Sequence, residues 1–190
     1  MKIVASRISV AALALTLSAA LGCGNVAPTP YNDFPPPPDY LTQVASGSAA
    51  TATSAPAMPG GETAYVSYVV DGDTIDVDLN GQTYRVRYIG INTPERDQPC
   101  YKEATAANIN LVWQQTVTLV RDVSETDPYG RLLRYIYVGE TFVNAELVRQ
   151  GWAEARDYPP DSAQAFTLDG LEADAAASGL GCWPSGVFQR

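Results

Sequence analysis

The feature that most narrows the possible folds is a pair of alternating runs on either side of Asn80-Gly81. Asn-Gly between two such runs is the strongest short hairpin signal, because a type I′ turn needs positive φ at both central residues. Ile75-Asp76-Val77-Asp78-Leu79 precedes it, and Thr83-Tyr84-Arg85-Val86-Arg87-Tyr88-Ile89 follows. A period of two puts Arg85, Arg87 and Ile89 on one face of the second strand and Tyr84, Val86 and Tyr88 on the other. The hairpin also folds Asp71-Gly72-Asp73-Thr74, ahead of the first strand, back towards Asn92-Thr93-Pro94-Glu95, after the second. Oxygen ligands for a hard cation and guanidinium forks for phosphate are thereby gathered at one end of a small sheet.

Strands are predicted at 63–70, 75–79, 82–91, 116–121 and 131–138, each rich in β-branched and aromatic residues and bounded by Gly, Asp, Asn or Pro. Helices are predicted over 101–113, where Ala104, Ala107 and Leu111 recur at helical spacing, and over the alanine-rich segment 162–178, stopped by Gly179. A short helix between them starts at Asn144, read as its N-cap, and ends at Gly151. Trp113 and Trp152 read as core residues, and Arg121, Arg134 and Arg149 as surface or structural ion pairs of small individual worth. With 46% hydrophobic residues the chain has enough apolar surface for one real core. Five strands, a helix after the third and more helices at the end describe an α+β domain, a five-stranded OB-fold β-barrel with about three α-helices. No internal repeat is visible.

Residues 1–22 carry Lys2 and Arg7 followed by an apolar run from Ile8 to Leu21, the layout of a secretory signal peptide. That run is too short to favour a permanent membrane span. Ala20-Leu21-Gly22-Cys23 resembles the lipobox of bacterial lipoproteins, with Ala20 where leucine is usual. The resemblance implies cleavage before Cys23, lipidation of its thiol and anchorage to a membrane of the cell envelope; an ordinary signal peptide would instead give a secreted protein. Residues 23–61 hold Pro28, Pro30, the Pro35 to Pro38 run, Pro56 and Pro59 among Ser, Ala, Thr and Gly, which reads as a tether. Residues 62–190 remain as the folded domain. Once Cys23 is accounted for, Cys100 and Cys182 are left as a disulfide pair in an exported protein. With no Cys-x-x-Cys and no Cys/His cluster, zinc is not indicated.

The net charge of −9 belongs to the folded domain, since Asp33 and Asp39 upstream are offset by Lys2 and Arg7. A sequence-independent nucleic-acid binder is usually basic, so this charge counts against such a partner. A local arginine cluster with a divalent cation nevertheless holds phosphate on a protein whose other faces are acidic. The chain contains no histidine, which removes the commonest general base and the Ser-His and Cys-His nucleophile arrangements.

Four motifs in fixed order then carry a resemblance: DGDTIDV at 71–77, RYIGINTPE at 87–95, DPYGRLLRYIYV at 127–138 and VNAELVRQGWA at 143–153. Together they resemble the staphylococcal nuclease (thermonuclease) family, calcium-dependent exported nucleases on an OB-fold with three helices. The resemblance spans about residues 63–183. Carried over position by position, it implies calcium (Ca2+) ligands at Asp73, at Asn92 through its side chain and at Thr93 through its carbonyl oxygen. It implies a catalytic glutamate at Glu95, phosphate-binding arginines at Arg87 and Arg131, and nucleotide contacts at Tyr129 and Tyr158. Asp71 matches a second acidic residue that supports the ion without ligating it. Asn92 stands where the best-known members carry aspartate, and Pro128 where a lysine assists the phosphate. The implied reaction is cleavage of the P–O5′ bond of DNA and RNA with low sequence specificity, leaving 3′-phosphates, by a protein expected to act as a monomer.

The chemistry stands beside the name. Phosphodiester hydrolysis needs a positioned water, neutralisation of the charge that builds on the phosphoryl oxygens, and help for the leaving oxygen. Singly, each candidate has a plainer reading: Asp73 and Glu95 as solvated turn residues, Arg87 and Arg131 as partners of surplus carboxylates, Tyr129 as packing. Jointly all roles are filled in one order. The alternative function is a catalytically weak OB-fold module that binds single-stranded nucleic acid or a protein; Asn92, Pro128 and the acidic charge speak for it.

Overall fold

Strands β1 (Gly61–Val69), β2 (Thr74–Leu79) and β3 (Gln82–Tyr88) form an antiparallel meander in this computed structural model, which describes residues 60–189. Cys23, the signal segment and all but the last residues of the tether lie outside the described residues. The turn between β2 and β3 has φ of 53° at Asn80 and 82° at Gly81, as the Asn-Gly pair requires.

After β3 the chain forms β4 (Ile91–Asn92), helix α1 (Tyr101–Val112), β5 (Thr116–Val120), β6 (Leu132–Val138) and β7 (Thr141–Phe142). Helix α2 (Val143–Arg149), β8 (Glu154–Ala155), helix α3 (Ala165–Ala177) and a 3-10 turn (Trp183–Ser185) complete it. β1 also pairs with β5, and β5 with β6. A parallel pairing of β6 with β3, with Val86 opposite Leu132, then closes the sheet into a five-stranded mixed barrel. With its three helices this is the α+β OB-fold architecture expected from the sequence. Val66, Ile75, Val77, Val86 and Ile136 are fully buried in the barrel core, which α2 covers through Val143, Leu147 and Val148.

Three local expectations need correction. The strand anticipated over 82–91 stops at Tyr88, because Gly90 takes a φ of 76° and turns the chain out of the barrel. Ile91-Asn92 then starts a separate ribbon, pairing with β8 so that Asn92 lies opposite Glu154. Asn144 is not an N-cap: α2 starts one residue earlier, and the fully buried Asn144 accepts from the Ile136 N–H at 2.9 Å and donates to the Ile89 carbonyl at 2.8 Å. An amide with both donor and acceptor serves a buried gap between strands as readily as a helix end. Trp113, read as core, is 39% exposed at the end of α1, whereas Arg134 makes a structural ion pair as expected, 2% exposed and paired with Glu62 and Glu125.

Cys100 and Cys182 form a disulfide with an S–S distance of 2.03 Å. It ties the start of α1 to the end of the chain, over a small apolar cluster of Ala104, Cys182 and Phe188. Among the described residues no helix is long and apolar enough to cross a membrane.

Candidate active site

The loop between β1 and β2 is closed by its own first aspartate. Asp71 Oδ1 accepts the Asp73 N–H at 3.1 Å, and Val70 and Asp71 both donate their N–H groups to the Thr74 carbonyl. Gly72 is required by a close approach, since a Cβ there would lie 2.7 Å from Thr93 Oγ1. The same approach lets Thr93 donate to Asp73 Oδ2 from its N–H at 2.8 Å and from its hydroxyl at 3.0 Å. Asp73 Oδ1 accepts the Thr74 hydroxyl, and the carboxylate is buried. Burial, then the neighbouring Asp73 charge, pushes the Asp71 carboxyl up to about 6. Asn108 on α1 braces this loop: it is fully buried, donates to the Asp71 carbonyl at 2.8 Å and accepts the Tyr88 hydroxyl at 2.9 Å.

Arg87 lies opposite Thr74 across the hairpin. Its Nη2 is 3.2 Å from both Asp73 Oδ2 and Asn92 Oδ1, while its Nη1 donates to the carbonyls of Tyr88 and Ile91 at 2.8 and 3.0 Å. A positive centre therefore stands between the Asp73 carboxylate and the Asn92 amide oxygen. On the far side of Asn92, its Nδ2 donates to Glu154 Oε1 at 3.2 Å.

The second wall is the loop from Asp127 to Arg131. The Asp127 N–H donates to the Arg131 carbonyl, and Asp127 Oδ1 accepts the N–H groups of Tyr129 and Arg131. Asp127 Oδ2 accepts Arg131 Nε at 2.5 Å, and the guanidinium carbon lies 5.6 Å from the Tyr129 ring centre. Gly130, at φ 81°, makes the turn. Facing this loop is the segment with the cis Pro159-Pro160 bond, fastened by Asp161, whose Oδ1 accepts the N–H groups of Val123 and Ser124.

Arg87, Arg131, Tyr129 and Tyr158 consequently line one cleft of about 390 Å³, together with Asp127 and Leu133. Tyr129 is 85% and Tyr158 50% exposed, so both rings are presented to solvent. Asn92 and Thr93 open instead into an adjoining recess of about 220 Å³ that Glu154 and Arg156 also line. Glu95 lines neither; it sits exposed on the turn after Pro94, its N–H donating to Gln98 Oε1 at 2.7 Å. Sequence reasoning missed Asp127, Asn108 and Glu154. Only Asn108 carried a signal, a polar residue four positions from Ala104 and from Val112 on the buried face of α1.

Among the described residues no group of three or more His, Cys, Asp or Glu side chains is placed to hold a metal ion. The donors converging beside Arg87 are a carboxylate and an amide oxygen, with Thr93 hydrogen-bonded to the former. An all-oxygen set this sparse suits a hard cation that completes its shell with water and substrate oxygens, and it does not suit softer metals.

Comparison with known proteins gives a consistent picture. A family model described as "Staphylococcal nuclease homologue" matches residues 85–185. The chain is 36% identical over 129 residues to a protein named Thermonuclease from Staphylococcus intermedius, an alignment covering 65% of this chain and 77% of that one. It is 39% identical over 106 residues to Thermonuclease from Staphylococcus hyicus, covering 53% of this chain and 63% of that one. A Micrococcal nuclease from Shigella flexneri is 36% identical over 126 residues, covering 60% and 70% respectively.

Proposed function

The chain belongs to the staphylococcal nuclease family, and on that premise we propose that it is a calcium-dependent nuclease that cleaves DNA and RNA with low sequence specificity and leaves 3′-phosphates. Family membership makes it an endonuclease, a phosphodiester hydrolase acting on nucleic acid. The observation that carries the finer reading is the convergence of Arg87 and Arg131 on one cleft flanked by Tyr129 and Tyr158, with Asp73 and Asn92 at the foot of Arg87.

Asp73, Asn92 and Thr93 would hold calcium, which when bound supplies Lewis-acid polarisation of a phosphate oxygen and offsets charge that builds in the transition state. Arg131, held through Nε by Asp127, keeps its terminal nitrogens for a forked contact with the phosphate. Arg87 contributes the second guanidinium by turning Nη2 from Asp73 and Asn92 to the phosphate, and the two tighten on the phosphoryl oxygens as charge accumulates. Glu95, exposed on the turn after Pro94, orients and deprotonates the attacking water. The water oxygen joins phosphorus as the P–O5′ bond breaks, so the phosphate stays on the 3′ side and the 5′ oxygen leaves as a hydroxyl. Tyr129 and Tyr158 offer ring faces to the nucleotide; every base has such a face, which fits low sequence specificity.

We assign export to residues 1–22, a lipid anchor to Cys23, a tether to residues 23–61 and catalysis to a monomeric domain over residues 62–190. The support is the charged and apolar layout of the leader and the Pro-rich composition that follows it. Digestion of plasmid DNA and of RNA in calcium and in chelator, with analysis of the product ends, tests the function. Cleavage only in calcium, with 3′-phosphate ends, is the expected result. Retention of nucleic acid without cleavage would favour the binding-module alternative.

A further inference from the structure

We infer that Glu154 is a positioning residue of this site: it orients the Asn92 amide and supplies, from the neighbouring strand, the negative charge that Asn92 lacks. The inference rests on the calcium-site reading above. Glu154 is 6% exposed, and a carboxylate that buried is costly unless it is paired. Its Oε1 is 3.2 Å from Asn92 Nδ2 and 3.4 Å from Arg156 Nη2. Glu154 is not there by the chance of a flexible side chain, because the backbone fixes it. β8 pairs with β4 so that Glu154 and Asn92 are direct cross-strand partners, the next N–H, of Ala155, donates to Glu172 Oε1 at 3.0 Å, and the Arg156 N–H donates to the Gly90 carbonyl at 2.9 Å.

The orientation of the amide follows from what its two sides meet. A guanidinium can only donate and a carboxylate can only accept. With Arg87 on one side and Glu154 on the other, the Asn92 oxygen must face Arg87, and the nitrogen must face Glu154. That is the orientation in which Asn92 serves as an oxygen ligand. Without an acceptor at position 154, only Arg87 is left to oppose rotation of the amide, and a rotated amide would offer a donor to the cation. The carboxylate also stands one hydrogen bond behind that ligand, so the pair Asn92 and Glu154 together carries the charge that an aspartate at position 92 would carry alone.

A consequence is that an aspartate at position 92 is not a plain gain. It would set two carboxylates directly opposite one another across the ribbon, a like-charge pair that is destabilising. The charge has to be moved from 154 to 92, not added.

Calorimetric titration with calcium chloride alone, without nucleic acid, tests this on four full-length proteins: the parent, Glu154→Gln, Asn92→Asp and the double variant. Thermal unfolding in chelator reports whether each is folded. Glu154→Gln keeps an acceptor for Asn92 but removes the charge, and should weaken calcium binding by about tenfold, the order expected of one unit charge a few ångströms away in a partly screened site. Asn92→Asp should raise affinity more when introduced into the Glu154→Gln variant than when introduced into the parent. Equal calcium affinity of the parent and Glu154→Gln, or the same effect of Asn92→Asp in both backgrounds, overturns the inference while leaving the calcium reading intact. No calcium binding by the parent overturns that reading and the inference with it. If Glu154→Gln does not fold, Asn92→Asp set beside the parent decides: because Glu154 already supplies the charge, the gain in calcium affinity should stay well below the roughly tenfold of a newly added unit charge, and a gain of about tenfold or more overturns the inference.

Discussion

Arg87 Nη2 stands 3.2 Å from Asp73 Oδ2, and the two side chains are only 13% and 7% exposed. Arg87 also satisfies the carbonyls of Tyr88 and Ile91, where β3 leaves the barrel. The residue thus has a structural duty besides its proposed contact with phosphate. Arg87→Ala should cost about 3 kcal/mol of folding stability, as expected when one partner of a buried ion pair is removed. Arg131, whose side chain is 31% exposed, should cost about 1 kcal/mol or less on the same change. Urea unfolding of the two variants beside the parent checks the contrast.

Asp127 acts on Arg131 through geometry. Asp127→Asn leaves an oxygen to accept the Tyr129 and Arg131 N–H groups but turns the acceptor facing Arg131 Nε into a donor. The loop should survive while the guanidinium is released. Turnover should fall by about tenfold with stability changed by about 1 kcal/mol or less. Steady-state kinetics with DNA, together with an unfolding curve, measure both effects. Unchanged turnover would mean that Asp127 does not aim Arg131.

The Cys100–Cys182 bridge joins residues 82 apart in sequence. Loop entropy over that span predicts a stabilisation of about 4 kcal/mol, so the double Cys→Ser variant should unfold at markedly lower urea. Thiol titration of the denatured, unreduced domain over residues 62–190 should find no reactive thiol.

Acid sensitivity has a defined source in the Arg134 pair. Hydrogen bonds from Arg134, and then from Arg121, hold the Glu125 carboxyl below its ordinary value of 4.5. A group whose pKa is depressed by folding stabilises the fold above its unfolded value and loses that contribution as pH falls through the folded one. Glu125→Gln should therefore be less stable than the parent at neutral pH, and the gap should narrow as pH drops below 4.5. Thermal unfolding midpoints measured across that range test the sign.

The hairpin was legible because Asn80-Gly81 admits few alternatives, and the arginine face because a strand has a fixed period. The disulfide was legible because, with Cys23 read as a lipid site, Cys100 and Cys182 are the two cysteines left to pair. What sequence did not reveal depends on contacts between distant segments. Asn144 looks like a helix cap because the same short amide suits either place, and only the proximity of Ile89 and Ile136 decides. Arg134 reads equally as a surface or a structural cation, and only its place on β6, opposite Tyr88 and paired with Glu62 and Glu125, decides for the second. Glu154 faces Asn92 across 62 residues of chain, through a two-residue ribbon too short to leave a pattern.

The initial rate of DNA digestion in calcium by Arg131→Ala, set beside that of the parent, tests most directly whether this cleft performs the chemistry. Arg131 lines the cleft, is half-buried and contributes little to the fold, so its loss should slow digestion by about 10²-fold or more while the unfolding curve stays close to the parent's. Digestion by Arg131→Ala at the parental rate would contradict the assignment of the cleft as the site of hydrolysis.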